Sequence, residues 1–175
     1  MKLDALDGTI GQGWGGLRPD GAHVNVVLAR RGSPTAAAAI SMFAHPAPGH
    51  TPVMVCVGER QVDYEPIWPP TLMMNKSTAL EERYQTLTWG AAQLGIGQGV
   101  LDGVAAGLIE ATNELIVMVS VWIDSAAHDE TAVRHACRAA TLGGIEECVN
   151  GRSAAATARL VEARDTLASP FYHGD

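Results

Sequence analysis

Residues 21–29 place aliphatic side chains at every second position and polar ones between the first of them, and this period of two predicts a short β-strand with two unlike faces. The face that would turn toward a core carries only aliphatic side chains: Val24, Val26 and Leu28. The opposite face opens with His23 and Asn25 and continues with Val27. Because half-buried polar groups need a hydrogen-bonding partner, the second face is expected to meet water, another chain or a ligand.

The strand is followed directly by helix signals. Residues 30–34 read Arg-Arg-Gly-Ser-Pro, in which Ser33 can cap a helix and Pro34 suits its first position. The alanine-rich stretch that follows favours a helix over residues 34–45. His23 and Asn25 are therefore predicted at the start of a strand that leads into a helix.

Composition narrows the class of protein. A chain of 175 residues, 47% hydrophobic and 18% charged, is expected to form one globular domain. The net charge of −7 argues against nonspecific nucleic-acid binding, which needs clustered basic residues. Three cysteines in separate predicted elements indicate a reducing compartment. The first residues lack an apolar signal segment, and the chain has no apolar run of 18, so we expect a cytoplasmic protein without a membrane partner.

The other predicted elements follow in order. Residues 1–20 are treated as a glycine-rich N-terminal segment, with a loop or an irregular strand over residues 8–21, and residues 21–175 as the main domain. The apolar run at residues 51–57 predicts a second, central strand, followed by an exposed excursion at 58–70 and a third strand at 71–75. Residues 78–81, Thr-Ala-Leu-Glu, match a capping box, which would place Lys76 and Thr78 next to a helix N-terminus.

The C-terminal half predicts helices around one further strand. The helix after residue 81 should bend near Gly90, and beyond it a glycine recurs every fourth residue, at positions 95, 99, 103 and 107. Such a ridge indicates close packing against a sheet or a neighbouring chain. A strand at 115–123 and helices capped by Asp129 and Ser153, ending near residues 149 and 167, complete an α+β order.

Single residues carry little functional signal here. The spacing of the six histidines matches no metal motif, so no metal is expected, and phosphate-binding and GxSxG motifs are absent from the sequence. Taken alone, His23 would be a hydrogen-bonded, half-buried histidine and Lys76 a surface lysine, while Thr78 would be a helix cap and Gln93 a helix surface residue. The residues by themselves indicate a soluble α+β domain with a polar strand start.

Together, however, these residues resemble the formaldehyde-activating enzymes of methylotrophs and methanogens. The similarity runs over residues 20–171 and rests on the order and spacing of several short motifs. They are Gly21-Ala22-His23-Val24-Asn25, Arg31-Gly32-Ser33-Pro34, Gly49-His50-Thr51, residues 71–78 (Thr-Leu-Met-Met-Asn-Lys-Ser-Thr), Gly90-Ala91-Ala92-Gln93, Val149-Asn150-Gly151 and Ser169-Pro170-Phe171.

The resemblance implies a fold like domain 2 of ribosomal protein S5, with a mixed sheet and packed helices in a single domain, assembled as a homopentamer or a pair of pentamers. It implies a lyase that condenses formaldehyde with tetrahydromethanopterin, its co-substrate, to give 5,10-methylenetetrahydromethanopterin and water in the one-carbon metabolism of methylotrophy. The family's catalytic histidine falls on His23. The family's substrate-contacting positions fall on Asn25, Met54, Lys76, Thr78 and Gln93.

Two differences from the family pattern leave the function open. The family has an aspartate where this chain has Asn25, and about four extra residues lie within 58–70. The sequence is therefore compatible with an active lyase, with a non-catalytic pterin- or formaldehyde-binding paralogue that acts as a sensor or carrier, and with an oligomeric protein that has kept only the scaffold.

Overall fold

The computed structural model describes residues 3–41 and 44–169 and shows a single α+β domain. These residues form seven strands: β1 (Ile10–Gly15), β2 (Ala22–Arg30), β3 (Val53–Met54), β4 (Cys56–Val57), β5 (Glu65–Pro66), β6 (Thr71–Asn75) and β7 (Leu115–Ile123). Five of them make one mixed sheet in the order β1–β2–β7–β6–β3, in which only β6 and β7 are parallel. Strands β4 and β5 form a separate small hairpin.

Helices lie on both sides of this sheet. The described residues include α1 (Pro34–Ile40), α2 (Glu82–Thr86), α3 (Gln93–Ala105), α4 (Glu130–Asn150) and α5 (Ala154–Glu162). A π-helical segment, Leu87–Ala92, joins α2 to α3 at the predicted bend near Gly90. None of these helices is long and apolar enough to cross a membrane. The single α+β domain with a mixed sheet is confirmed, whereas likeness to ribosomal protein S5 stays a prediction.

Strand β2 has the two faces that its sequence predicts. Val24, Val26 and Leu28 are fully buried in the core, and His23 and Asn25 are half buried on the other face. Strand β7 extends over the predicted residues and pairs with β2 along its whole length. The start of β2 therefore brings its polar pair to the side of the sheet that faces away from the main core.

Strand β1 is regular, although its glycines predicted a loop or an irregular strand. Its helix-facing residues are Gly11, Gly13 and Gly15, and Cβ atoms at these positions would overlap backbone carbonyl oxygens of α4. The missing side chains let the helix lie directly against the strand backbone. The strand is therefore held by close backbone approach and by six register pairs with β2, not by buried side chains.

Three glycines of the predicted ridge, Gly95, Gly99 and Gly103, pack α3 against α4, whereas Gly107 lies beyond the end of α3 and a Cβ there would meet nothing within 4 Å. A Cβ at Gly99 would lie 2.6 Å from the carbonyl oxygen of Arg138, and Gly95 has a similar overlap with the carbonyl of Arg134. Arg138 also forms a two-pronged ion pair with Asp102 of α3, at 2.6 and 2.7 Å. Helices α3 and α4 thus form one layer on the side of the sheet opposite His23.

The prediction of one central strand at residues 51–57 is wrong, because the chain changes partners at Val55. The Val55 amide donates to the carbonyl of Thr71 in β6, but its own carbonyl accepts from Ile67, which follows β5. The stretch therefore divides into β3, at the edge of the main sheet, and β4, in the separate hairpin. An apolar sequence carries no information about where a strand switches partners.

The capping-box prediction at residues 78–81 is also wrong. Helix α2 begins at Glu82, and the Glu81 side chain makes no capping bond. The amide of Ala79 donates instead to the carbonyl of Gly49, and the Thr78 hydroxyl bonds to His50. Long-range contacts with residues 49 and 50 therefore replace the local cap.

The other helix ends agree in part with the sequence. Ser33, Asp129 and Ser153 accept capping bonds as predicted. Helix α1 ends at Ile40, short of the predicted residue 45, and residues 42 and 43 lie outside the described part. Helix α5 ends at Glu162 rather than near 167. Within the Ser169-Pro170-Phe171 motif, the last two residues are outside the described range.

Candidate active site

Within residues 3–41 and 44–169, no helix covers one half of the sheet face away from α3 and α4. Helix α1 covers the other half, where Ala36 and Ala39 pack on Ala29, Leu72 and Met118. Beyond α1, the strand register sets side chains in a row across β1, β2 and β7, and the first residue after β6 extends it. The row consists of Trp14, His23, Trp122 and Lys76. We call this row and its neighbours Gln12 and Asn25 the open sheet face.

His23 and Lys76 are in direct contact there. The Lys76 Nζ lies 2.8 Å from His23 Nδ1, although the residues are 53 positions apart in the chain. The backbone amide of Lys76 donates to the carbonyl of Val121 and so continues the β6–β7 ladder beyond Asn75. The parallel pairing of β6 with β7 is therefore what brings Lys76 level with His23.

The second ring nitrogen of His23 also has a partner. His23 Nε2 lies 2.9 Å from Gln12 Oε1 on β1. Gln12 belongs to the glycine-rich segment and is a residue that the sequence analysis missed. The available signal was the alternation Gly-Gln-Gly-Trp-Gly at residues 11–15, which has the period of a strand with one bare face.

Partial burial depresses the basicity of both groups, and the Lys76 charge adds to the effect at His23. Partial burial, followed by the neighbouring Lys76 ammonium, lowers the pKa of His23 from its usual value. Partial burial lowers the pKa of Lys76 to about 8. Near neutral pH the pair therefore consists of a neutral imidazole and an ammonium, and the ammonium can lose its proton more readily than an ordinary lysine.

Two indole rings flank the pair. The Trp14 ring lies 5.6 Å from the His23 ring between centroids, and it stacks on Trp122 at 5.7 Å and 29°. Trp14 is still 49% exposed, so part of its ring faces outward. An exposed aromatic surface next to proton-carrying groups suits a flat heterocyclic ligand.

Asn25 lies on the same face of β2 as His23, two residues along. Side chains two apart on a strand are separated by about 7 Å. Its register partners, Gln12 and Ser120, are uncharged. The strands therefore place amide and hydroxyl groups beside His23 at the position where the family pattern has a carboxylate.

Thr78 lies on the segment after β6 and is held by a histidine. Its hydroxyl is 3.1 Å from His50 Nε2, while His50 Nδ1 is 3.0 Å from the carbonyl oxygen of Asn75. Because a carbonyl only accepts, His50 Nδ1 carries a proton and Nε2 accepts from the hydroxyl. Thr78 thus follows Lys76 by two residues, and its hydroxyl is oriented by His50.

Met54 and Gln93 lie away from the pair within this chain. Met54 is 46% exposed on the edge strand β3, three strands from β2. Gln93 begins α3 in the helical layer, where its amide bonds to Cys56, Tyr64 and Trp89. The structure therefore brings together His23, Asn25 and Lys76, with Thr78 nearby, but places Gln93 behind the sheet.

Metal-ligating side chains are not clustered in the described part of the chain. Across residues 3–41 and 44–169, no three His, Cys, Asp or Glu side chains are grouped as a metal site would require.

Sequence comparison identifies the family. A sequence model of the formaldehyde-activating enzyme (Fae) family matches residues 10–172. The chain belongs to the formaldehyde-activating enzyme family. It is 30% identical over 173 residues to the 5,6,7,8-tetrahydromethanopterin hydro-lyase of Methanosarcina barkeri, an alignment that covers 98% of this chain and 94% of that protein. The match begins at β1 and so includes Gln12 and Trp14.

Bifunctional relatives of the family are longer. The bifunctional enzymes Fae/Hps of Methanothrix thermoacetophila and Archaeoglobus fulgidus are each 26% identical, over 144 and 151 residues. These alignments cover 81% and 85% of this chain but 36% of each bifunctional protein. The present chain thus corresponds to about a third of each bifunctional enzyme and to nearly all of the Methanosarcina hydro-lyase.

The contact between Lys76 and His23 predicts a measurable pKa change. Lys76→Met keeps the site partly buried but removes the ammonium that repels a protonated imidazole, so the pKa of His23 should rise. The pKa is read from the pH dependence of the His23 ring resonances in NMR spectra. Lys76→Arg is the matched control, because it retains the positive charge and should keep the pKa low. Identical His23 titrations in both variants would contradict the assigned contact.

Proposed function

We propose that this chain is a lyase that condenses formaldehyde with tetrahydromethanopterin to give 5,10-methylenetetrahydromethanopterin and water in one-carbon metabolism. The observation that carries the proposal is the 2.8 Å contact of Lys76 with His23 on the open sheet face of a member of this family. The name of the Methanosarcina relative, a tetrahydromethanopterin hydro-lyase, supports the same reaction class.

The chemistry needs a group that gives and later recovers a proton. Formaldehyde adds to one pterin nitrogen to form a carbinolamine, and loss of its hydroxyl as water requires one proton. The second pterin nitrogen then closes the iminium and releases a proton. An ordinary histidine can exchange a proton near neutral pH, and in the Lys76–His23 pair the Lys76 ammonium holds a proton at this place.

The remaining family positions are proposed to hold the pterin. Asn25, Lys76 and Thr78 would contact it from the open sheet face, with both pterin nitrogens directed at one carbon, which is a proximity effect. Met54 and Gln93 lie outside this group in one chain, so we assign them to a site shared between neighbouring copies of a cytoplasmic homopentamer. Light scattering that gives a stable 18.4 kDa monomer at micromolar concentration would contradict this assembly.

A rate assay tests the proposal directly. The purified protein is mixed with formaldehyde and tetrahydromethanopterin, and product formation is followed with the spontaneous condensation subtracted. The proposal requires a rate above the spontaneous one, proportional to protein concentration. A rate equal to the spontaneous one would contradict it.

Asn25 favours a second candidate, a non-catalytic sensor or carrier that binds the pterin or formaldehyde. Asparagine carries no negative charge, so residue 25 does not stabilise the protonated imidazole of His23 as a carboxylate would. Equilibrium binding of tetrahydromethanopterin without turnover would support this candidate. If neither binding nor turnover is observed, the remaining interpretation is an oligomeric protein that has kept only the scaffold.

Asn25→Asp should increase the condensation rate. A carboxylate about 7 Å from His23 would stabilise positive charge on the Lys76–His23 pair, so the pair would keep its proton to higher pH. The measurement is the rate of both proteins from pH 5 to 8, in which the variant should keep its activity to higher pH. Asn25→Ser is the matched control, since it changes the side chain without adding charge. A variant that only loses activity would make Asn25 a functional replacement for the aspartate.

A further inference from the structure

We propose that Gln12 is a positioning residue that fixes His23 in the neutral tautomer with its proton on Nε2, and that Lys76 therefore carries the mobile proton of the site. The assignment of the tautomer follows from the hydrogen bonds alone. The role of the Lys76 proton in condensation rests on the proposed function.

The hydrogen bonds determine which ring nitrogen is protonated. An amide oxygen can only accept, so the 2.9 Å contact between Gln12 Oε1 and His23 Nε2 requires a proton on Nε2. In a neutral ring, Nδ1 then has a free lone pair. This lone pair accepts from the Lys76 ammonium at 2.8 Å. Each donor in the series Lys76–His23–Gln12 thus meets one acceptor.

The other protonation states fit these contacts less well. A proton on Nδ1 would point at the Lys76 ammonium and leave the Nε2 lone pair facing the Gln12 oxygen. An imidazolium would place two positive charges 2.8 Å apart. Burial and the Lys76 charge lower the pKa of His23, in agreement with a neutral ring. Gln12, which is uncharged, supplies an acceptor without stabilising the imidazolium as a carboxylate would.

The backbone at Gln12 is fixed from two sides. Its amide donates to a Glu147 carboxylate oxygen at 2.7 Å, and the other oxygen of Glu147 accepts from Arg152 at 2.7 Å. The neighbouring Gly11 and Gly13 lie against the α4 backbone. This support from the end of α4 limits where the side-chain amide of Gln12 can lie. A residue that positions His23 needs such a restriction.

The proposed proton transfers balance. When the C–O bond of the carbinolamine breaks, Lys76 Nζ gives the proton that leaves with the hydroxyl as water, and the nitrogen lone pair forms the C=N bond. The second pterin nitrogen then attacks the carbon of the iminium. The proton that this nitrogen loses returns to Lys76, whose other hydrogen bond, to His23 Nδ1, keeps Nζ in place.

The tautomer is measured directly by NMR with ¹⁵N-labelled histidine. In the native protein near pH 7, His23 should show a protonated, pyrrole-type Nε2 and an unprotonated Nδ1. Gln12→Leu, which removes the acceptor, should shift the Nε2 resonance, and Gln12→Leu combined with Lys76→Met, which removes both partners of the ring, should give a mixture of tautomers. Gln12→Glu should raise the pKa of His23 by about 1 to 3 units, because the new acceptor is charged. Ile10→Ala, on the same face of β1, is the matched control and should leave the His23 signals unchanged.

Two results would overturn the inference about Gln12. One is a proton on Nδ1 in the native protein. The other is a Gln12→Leu variant with native His23 signals in a folded chain. These readouts do not depend on turnover, so the Gln12 assignment survives if the native protein proves inactive, whereas the proposed function does not.

The proton-carrying role of Lys76 has its own test. The condensation rate kcat should fall as pH rises through about 8, where the Lys76 ammonium is lost. Gln12→Leu should lower kcat about tenfold with a smaller change in KM, because it disturbs the proton-carrying pair rather than the ligand surface. A rate that stays level from pH 7 to 9.5 would show that Lys76 does not supply the proton.

Discussion

Replacement of His23 by alanine should lower the condensation rate by about 10²- to 10⁴-fold, the range expected when a positioned proton-transfer pair is broken. The variant loses the ring that accepts from Lys76 and donates to Gln12, so both neighbours also lose their partner. The measurement is the protein-dependent rate at saturating tetrahydromethanopterin, after subtraction of the spontaneous reaction.

The fold should tolerate this change, because His23 is only half buried on the open sheet face. Circular dichroism and light scattering should therefore match the native protein. His128→Ala is the control: this histidine lies on an exposed segment before α4, and its loss should leave the rate unchanged. A folded His23→Ala variant with the native rate would remove His23 from the mechanism.

Gly13→Ala should destabilise the chain by about 1 to 3 kcal/mol, the usual cost of an added group in a filled space. Its Cβ would overlap the carbonyl oxygen of Ala140, so β1 and α4 would have to move apart. The measurement is the free energy of unfolding from denaturant titrations at one fixed protein concentration.

Gly90→Ala is the matched control for this prediction. A Cβ at Gly90 meets nothing within 4 Å, and the residue lies in the π-helical segment. Because alanine is a better helix former than glycine, this variant should be as stable as the native protein or more so by up to about 1 kcal/mol. Equal unfolding free energies for the two variants would contradict the close packing of β1 on α4.

The sequence predicted those elements in which the order of apolar and polar side chains matches their burial. The pattern in β2 predicted both of its faces, and Asp129 predicted the start of α4. Strand β1 was not recognised as regular, because its helix-facing side is made of glycines and burial of backbone leaves no hydrophobic pattern. The errors at Val55 and Thr78 have a different cause, since in both places a distant partner decided the local structure.

The residues of the candidate site were likewise predicted only in part. Resemblance to a family singled out His23 and Lys76, but their contact depends on the pairing of β6 with β7 and of β7 with β2, which no local pattern contains. Gln12 was missed because its role depends on a ring nitrogen 11 residues away on the neighbouring strand. The pairing of strands was therefore the information that the sequence did not supply.

The two faces of β1 should differ in which substitutions evolution tolerates. A side chain at any of its helix-facing glycines would overlap the α4 backbone, so substitutions there would be removed by selection because they destabilise the fold. The intervening residues, Ile10, Gln12 and Trp14, point outward and are all exposed, so they contribute little to the core. Substitutions at Gln12 and Trp14 would therefore be selected by their effect on ligand and proton, and a lineage could change its chemistry along β1 while the scaffold stays the same.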